Sequence, residues 1–574
     1  MALLTLILVA TCLRLKPLPG PKGYPIIGSI PDVPEKNSFI KFSDWGKEYG
    51  PIYQVNLAGS NHVWISSEKI AHDLLSKKAA IYSDRPHIPA LIDDNQGHTR
   101  QRKFANVIMR ESEKAMFNRY PELEAKRMLV ELLEEPDQYN HALESFIARV
   151  TSRLAWGHAE ASDELKQRAR ELLVGVSPTG ALPNKLPFLM ALPDWLSPAK
   201  AWERRRAKTE RTFFQTMQAQ VERDIQEKTA PASWMKTFLT QGAAKFGFKS
   251  DLEGAYAVGM HGIAGALTIA APMQSFCLAM SHYPQYLPML QEEIDRVCGD
   301  RLPVAEDRPN MPMLRAVIRE LIRWRPPVPT GIPHYLTQDD EYDGFHIPKG
   351  STIHPLEWAI SRDPEIYPDP ETFNPLRWLK PEYLTYKEPL TQFPTIINSS
   401  QFGYGRRLCQ GQTVADEDLF IGIGSIAWLF NISKRSQDKP PVPKKPKHLV
   451  GINKRRTISN EELNAGLASS DLLSEKKSLE LAKSTVIRPF PPGYKPIEWG
   501  NPSQKTEDPT LDYSILLIAK PIPFQFDMKP RNRTKANKVR ELFAEGLEKG
   551  HYTKPREYWG PNQGRDESLG WSRV

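Results

Sequence analysis

The chain has 574 residues and a formal net charge of +8. This charge is local, since residues 434–456 hold nine Lys or Arg and one Asp, which leaves the remainder balanced and argues against a nucleic-acid-binding surface. Its four cysteines, Cys12, Cys277, Cys298 and Cys409, are too scattered for a disulfide or zinc framework, which suits a reducing compartment. Nothing divides the chain into separate cores, so we expect a single large domain.

The first residues favour attachment to a membrane. Residues 1–13 form an apolar run, shorter than the about 20 residues that a helix needs to cross a bilayer. Residues 17–24 are proline-rich and should be stiff. We interpret residues 1–16 as a short membrane anchor and 17–24 as a hinge. The alternative is a secretory signal, which is disfavoured because no small-residue cleavage site follows.

A long apolar helix is predicted over Leu252–Met280. Pro272 lies inside it and should kink it, because proline removes a backbone donor. The small residues Ala264 and Gly265 leave room beside the helix, and Thr268 offers a hydroxyl group. That hydroxyl can contact a ligand or can simply bond to a carbonyl of its own helix.

Two charged residues mark the next helix. Its expected range is Met313–Arg325, and Pro326 and Pro327 should stop it. Glu320 and Arg323 are three positions apart and therefore share one helical face. Further on, residues 326–333 are proline-rich, His334 follows, and residues 344–350 predict a tight turn between two short strands.

A single cysteine lies within a glycine- and arginine-containing loop at 402–411. Gly405 and Gly411 let the backbone turn tightly. Arg407 carries a planar guanidinium suited to carboxylates. Backbone N–H groups can stabilise Cys409 as a thiolate, the form that binds iron. The alternative is an ordinary buried cysteine.

In order, the motifs E-x-x-R at 320–323, F-x-P-x-R-W at 373–378 and F-x-x-G-x-R-x-C-x-G at 402–411 resemble those of the cytochrome P450 family, in particular its fungal microsomal members that act on secondary metabolites. The resemblance covers residues 17–434 and 511–530. It implies a mainly α-helical fold with small β-sheets, with the catalytic domain at 25–435.

The resemblance also implies a haem b (iron protoporphyrin IX) cofactor with Cys409 as the axial iron ligand. Arg102, His334 and Arg407 are the expected holders of the haem propionates. His334 could instead be an ordinary loop histidine. Phe402 would shield the sulfur from water, and the small Gly405 would let the loop approach the porphyrin.

On the opposite, distal face of the haem, Thr268 is the expected proton-relay residue. Glu320, Arg323 and Arg377 are expected to form a buried structural network behind the haem loop. Breaking such a network would leave a buried charge unpaired, at a cost of roughly 3–5 kcal/mol.

The implied function is a monooxygenase that inserts one oxygen atom from O2 into a small apolar molecule. Its expected partners are NADPH–cytochrome P450 reductase and a membrane surface, with no nucleic acid, and its expected location is the cytosolic face of the endoplasmic reticulum. No flavin reductase domain is evident after the cysteine motif, so electrons should come from a separate protein.

Departures from the family pattern keep two alternatives open. Leu267 stands where many relatives have an acid, and Ile269 replaces a hydroxyl residue. These changes favour a haem-thiolate enzyme that performs a rearrangement or dehydration instead of a hydroxylation. The short loop at 85–98 and the segment 436–508 favour a defective haem-binding product.

The last third of the sequence divides into three segments. Residues 436–508 are basic, proline-rich and weakly periodic, so we expect a disordered insertion. Residues 509–530 resemble the terminal hairpin of the family, with arms at 515–518 and 524–528. Residues 531–574 are expected to be a charged tail with a short helix at 536–547.

Overall fold

Helices dominate this computed structural model, which describes residues 16–88, 91, 98–114, 119–177, 182–185, 187–435, 513 and 517–552. The helices are α1 Ser38–Tyr49, α2 Glu68–Ala71, α3 Ala79–Tyr82, α4 His98–Lys114, α5 Arg119–Glu134, α6 Tyr139–Trp156, α7 Ser162–Val176, α8 Leu182–Lys185, α9 Pro198–Gln226, α10 Trp234–Gln241, α11 Ala243–Phe246, α12 Asp251–Thr268, α13 Ala270–His282, α14 Tyr286–Cys298, α15 Pro312–Trp324, α16 Glu357–Ile360, α17 Gln412–Leu429 and α18 Arg533–Glu548. A π-helix, His72–Lys77, continues α2.

The strands are short and form three small sheets. They are β1 Lys16–Pro17, β2 Ile52–Leu57, β3 Ser60–Ile65, β4 His334–Tyr335, β5 Asp340–Tyr342, β6 Phe345–Ile347, β7 Thr352–Pro355, β8 Phe430–Lys434 and β9 Phe526–Pro530. The largest sheet has the order β2-β3-β7-β4, the second has the order β1-β6-β5, and β8 pairs with β9. The predicted mainly α-helical single domain with small sheets is confirmed.

The longest apolar segment lies in the protein core. Helices α12 and α13 are separated at Ile269, three residues before Pro272, which is where the sequence predicts a disturbance of the helix. Among the described helices, Asp251–His282 is the one apolar and long enough to span a membrane, yet 83% of its most apolar window is buried in the protein. The segment is therefore explained as a core helix.

The turns and helix ends follow the prolines and glycines closely. Helix α15 ends at Trp324, before Pro326 and Pro327, as predicted. The expected turn around Gly350, which has φ +87°, separates β6 from β7. Glu320 lies within α15, and its side chain is buried in the core.

The second arm of the predicted terminal hairpin has a partner that the sequence did not predict. Residues Phe526–Pro530 pair antiparallel with Phe430–Lys434, on the other side of the segment 436–508. Only a single bridge, Tyr513 to Pro521, joins the neighbouring described residues. Residues 514–516 of the first arm lie outside the described residues, so the hairpin itself remains a prediction.

Part of the expected charged tail is a docked helix. Helix α18 buries Ala536 and Val539, and Lys535 Nζ lies 2.7 Å from Asp295 Oδ1 on α14. Beyond the helix, Tyr552 donates to the Leu123 carbonyl at 2.6 Å. The fold therefore continues past residue 530.

The beginning of the proposed hinge also contacts the domain. Lys16 and Pro17 pair with β6, and Gln54 donates its backbone N–H to the Pro19 carbonyl at 2.8 Å. Of the proposed anchor, residues 1–16, all but Lys16 lie outside the described residues, as does the segment 436–508, so both remain predictions.

Candidate functional site

The cysteine loop is built from two short 3-10 turns, Ser400–Phe402 and Gly405–Arg407, followed by α17. The Cys409 backbone N–H donates to the Phe402 carbonyl at 2.8 Å and closes the loop. Helix α17 begins at Gln412, so its N-terminal N–H groups and positive dipole end lie beside the sulfur.

Cys409 differs from the other described cysteines in its exposure. Cys277 and Cys298 are buried, and burial raises the pKa of each thiol to about 12. Cys409 is exposed, although the protein mass around it raises its pKa while the Gly411 N–H and Arg102 lower it. Solvent exposure and a raised pKa agree if the sulfur lies at the bottom of a deep concavity. An iron atom could reach the sulfur there.

The two glycines of the loop serve different purposes. A Cβ at Gly405, whose φ is +54°, would lie 2.2 Å from the Leu75 carbonyl oxygen. Gly405 is therefore needed for close packing against the protein's own π-helix, a reason that differs from the expected approach to the porphyrin. A Cβ at Gly411 would meet no atom within 4 Å, which leaves space on that side of the loop.

Basic side chains surround the same concavity. Arg102 Nη2 donates to the Leu408 carbonyl at 2.9 Å, and Arg407 Nε donates to the Ser83 carbonyl at 2.5 Å. Arg85 Nη1 donates to the Pro333 carbonyl, and His334 Nδ1 donates to the Tyr82 carbonyl at 2.8 Å. Three arginines and a histidine thus come from four separate parts of the chain.

The charges of this cluster are not balanced within the cluster itself. Burial, Arg407 and Arg102 together lower the pKa of Arg85 to about 9. Burial and Arg85 lower the pKa of His334 to about 3, so its imidazole is neutral. A dianionic ligand such as the two haem propionates would relieve this repulsion, so the residues present fit the group.

The residues expected on the distal face of the haem form a stripe along α12. Helical spacing places His261, Ala264, Gly265 and Thr268 on one face, which we call the open stripe. Ala264 is exposed and the other three are half-buried, whereas Leu267 is buried in the core. An accessible stripe on an otherwise buried helix indicates an internal cavity.

The Thr268 hydroxyl forms a hydrogen bond within its own helix. Its Oγ1 donates to the Ala264 carbonyl at 2.9 Å, the second of the two arrangements that the sequence allowed. The oxygen can still accept a hydrogen bond. Donation to a ligand requires the hydroxyl proton to leave Ala264.

Behind the cysteine loop, Glu320 is at the centre of a buried network. Both its oxygens bond Arg323, at 2.8 Å each, and Oε1 also accepts from Arg377 Nε at 3.0 Å. Trp378 Nε1 and the Asn374 backbone N–H each donate to this carboxylate at 3.0 Å. The side chains of Glu320, Arg323 and Arg377 are at most 1% exposed.

Sequence reasoning missed two residues of this site. Arg85 was placed in the short loop at 85–98 without a role of its own, and His261 was not named as a site residue. The signal for His261 was available, because it lies three and seven positions before Ala264 and Thr268 in the same predicted helix. Arg85 carried no such signal, since its partners come from distant segments.

Comparison with known proteins identifies the family. Residues 18–459 match the family described as Cytochrome P450. The chain is 34% identical over 441 residues to cytochrome P450 monooxygenase virE of Hypocrea virens, covering 73% of this chain and 79% of that protein. It is 33% identical over 448 residues to cytochrome P450 monooxygenase fogE of Aspergillus ruber, covering 74% and 81%.

A third relative, cytochrome P450 monooxygenase claR of Ampulloclitocybe clavipes, is 31% identical over 451 residues, with 73% and 81% of the two chains covered. The family match and these relatives agree with the motif order and the helical fold. The chain belongs to the cytochrome P450 family of haem-thiolate oxidoreductases.

Proposed function

We propose that this protein is a monooxygenase that inserts one oxygen atom from O2 into a small, mainly apolar molecule of fungal secondary metabolism. The observation that carries the proposal is an exposed Cys409 that lies close to the basic cluster of Arg85, Arg102 and Arg407. The relatives named above are monooxygenases and come from fungi.

Haem b, when bound, would supply the activation of dioxygen that this reaction requires. In the proposal Cys409 binds the iron, and Arg102, His334 and Arg407 hold the propionates. The neutral His334 already donates through Nδ1 to Tyr82, so it would need a second proton to donate to a propionate through Nε2.

The remaining residues shape the pocket. Phe402 packs against the main core and keeps water from one side of the loop. The Glu320 network fixes the segment that precedes the loop. Thr268 is the proposed proton-transfer group of the open stripe, acting once its hydroxyl turns away from Ala264.

Electrons would come from NADPH through a separate cytochrome P450 reductase, and the proposed location is the cytosolic face of the endoplasmic reticulum membrane. Exposed apolar side chains support contact with a membrane surface. Ile26 is 91% exposed and Trp195 is 81% exposed. Large apolar groups in water favour burial in an interface.

The test is turnover of the holoprotein with reductase, NADPH and 18O2 on a panel of aromatic and polyketide-like compounds. The proposal expects products that carry one 18O atom, with NADPH consumed for each. Product formation without 18O and without NADPH consumption would contradict it.

That contrary result would instead support a second candidate, a rearrangement or dehydration on the same haem-thiolate centre. The specific observation in its favour is the apolar, buried Leu267 next to a Thr268 whose proton is engaged. Neither reaction needs a proton-delivery path from solvent to the haem.

A further inference from the structure

His261 is the titratable side chain of the open stripe. Between Gly254 and His282 the other titratable residues are Tyr256 and Cys277, which do not belong to that stripe. His261 is half-buried and belongs to the same accessible face as Ala264 and Thr268. Arg102 influences both His261 and Cys409 electrostatically, so its guanidinium lies near both residues.

The contacts of His261 define the state of its ring. Nδ1 lies 2.6 Å from the Ala257 carbonyl oxygen, and because a carbonyl only accepts, Nδ1 carries the proton. Burial is the main cause that lowers the pKa of His261, and Arg102, the charged side chain that acts on it, lowers it further. The ring is therefore neutral, and Nε2 is a hydrogen-bond acceptor.

The neighbouring groups on α10 do not satisfy that acceptor. The Trp234 ring lies edge-on to His261 with a centroid separation of 6.5 Å, and its Nε1 donates to Ser112 Oγ at 2.8 Å. Among the described residues, the ring of His261 has the Ala257 carbonyl as its hydrogen-bond partner. Covering a hydrogen-bond acceptor with apolar groups costs free energy. A ligand that fills the cavity should therefore carry a hydrogen-bond donor at this position.

A proton relay from His261 to Thr268 is disfavoured by helix geometry. Seven residues separate them, which corresponds to about 10 Å along the axis. Helical side chains also tilt toward the N-terminus, so the ring leans away from Thr268. A group that contacts His261 therefore lies at the far end of the cavity from Thr268.

We propose that His261 Nε2 accepts a hydrogen bond from a hydroxyl group of the substrate, so that the enzyme takes phenols or alcohols and holds that hydroxyl at the end of the open stripe remote from Thr268. The inference rests on the proposed function and narrows its substrate class. It also gives His261 a binding role: the residue orients the molecule and takes no part in bond making.

The experiment compares ligands that differ by one hydroxyl group. Dissociation constants of 4-phenylphenol and biphenyl, and of 2-naphthol and naphthalene, are measured from the Soret shift of the holoprotein. Wild type should bind each hydroxyl compound more tightly than its hydrocarbon. In His261→Leu this preference should fall about tenfold, the size expected for one lost hydrogen bond.

Two variants serve as controls. His261→Gln keeps an acceptor oxygen and should restore part of the preference. Met260→Leu changes an adjacent half-buried apolar side chain and should leave the ratio of the two dissociation constants unchanged.

A wild type that prefers neither hydroxyl compound, or an equal preference in wild type and His261→Leu, overturns the inference. Failure of the proposed function has a different signature. In that case wild type lacks the thiolate spectrum with carbon monoxide, or forms product without 18O.

Discussion

At the scale of single residues, the carboxylate of Glu320 holds two guanidinium groups that have no access to water. Glu320→Gln removes the negative charge and leaves Arg323 and Arg377 buried without their anion. We expect the free energy of unfolding to fall by about 3–5 kcal/mol, together with haem content. Urea denaturation and the haem-to-protein ratio measure the two effects.

The matched control for that change is Glu545→Gln. Glu545 also pairs with a cation, Lys549 Nζ at 3.8 Å, but both side chains are more than half exposed. Its loss should cost roughly 0–1 kcal/mol. Equal losses in Glu320→Gln and Glu545→Gln would contradict the importance of burial at Glu320.

A second residue-scale prediction concerns Thr268. Thr268→Ala removes the hydroxyl of the open stripe, so a larger share of the NADPH consumed should end as hydrogen peroxide instead of product. Thr268→Ser keeps the hydroxyl and should stay close to wild type. The ratio of product to NADPH is the measurement, and an unchanged ratio in Thr268→Ala would show that protons arrive by another route.

Local motifs predicted part of the candidate site. Arg407 and Cys409 lie in one short loop, so their proximity follows from the chain itself. Arg85, Arg102 and His334 come from segments more than 200 residues apart at the extremes, and only tertiary packing brings them together. The reason for Gly405 was also hidden, because Leu75 is its close neighbour only in the fold.

At the scale of elements, the largest sheet carries a histidine pair in which His354 is buried and His62 is half-buried. His62 Nδ1 and His354 Nε2, on β3 and β7, lie 3.0 Å apart. Burial lowers the pKa of His62 to about 4 and that of His354 well below its ordinary value. Between about pH 4 and 6.5 the unfolded chain therefore binds more protons, so stability falls as pH falls.

This pair predicts a measurable acid sensitivity. Lowering the pH from 7 to 5 should cost about 1–2 kcal/mol through His62 alone. Chemical denaturation at the two pH values should show a smaller difference in His62→Gln than in wild type. His72→Gln, which changes an exposed histidine, should keep the wild-type difference. If His62→Gln also keeps it, the pair does not titrate as described.

The elements that the sequence predicted best are those with local stop signals. Prolines at 326–327 ended α15, and Pro272 broke the long helix at Ile269. Strand pairing was predicted less well. The residues Phe526–Pro530 have an alternating pattern that fits any edge, and their partner β8 is more than 90 residues earlier in the chain.

At the scale of the whole molecule, the segment 436–508 lies between two strands that pair with each other. Lys434 on β8 is opposite Phe526 on β9, and Arg435 contacts Asp137 and Asp527. Deleting the segment and joining Arg435 to Leu511 should leave haem content and the melting temperature nearly unchanged, because the segment's composition cannot build a core. Loss of haem or unfolding would show that it belongs to the domain.

The family fold could be predicted from three motifs in order, since each is tied to one place in the architecture. The short helix at 536–547 was predicted too, but its docking on the domain could not be. Helix α18 is predominantly polar in sequence and is held by a narrow apolar face and by the ion pair of Lys535 with Asp295. Such a helix cannot be told from an undocked one until its partner surface on α5 and α14 is known.

The most direct test of haem-thiolate function is the carbon monoxide difference spectrum of the reduced protein. Wild type, Cys277→Ala and Cys298→Ala should all give the red-shifted Soret band of a thiolate-bound haem. Cys409→Ala should lose it, because its sulfur is the exposed one among the described cysteines and lies beside the basic cluster. A red-shifted band that persists in Cys409→Ala would contradict the assignment of Cys409 and with it the proposed mechanism.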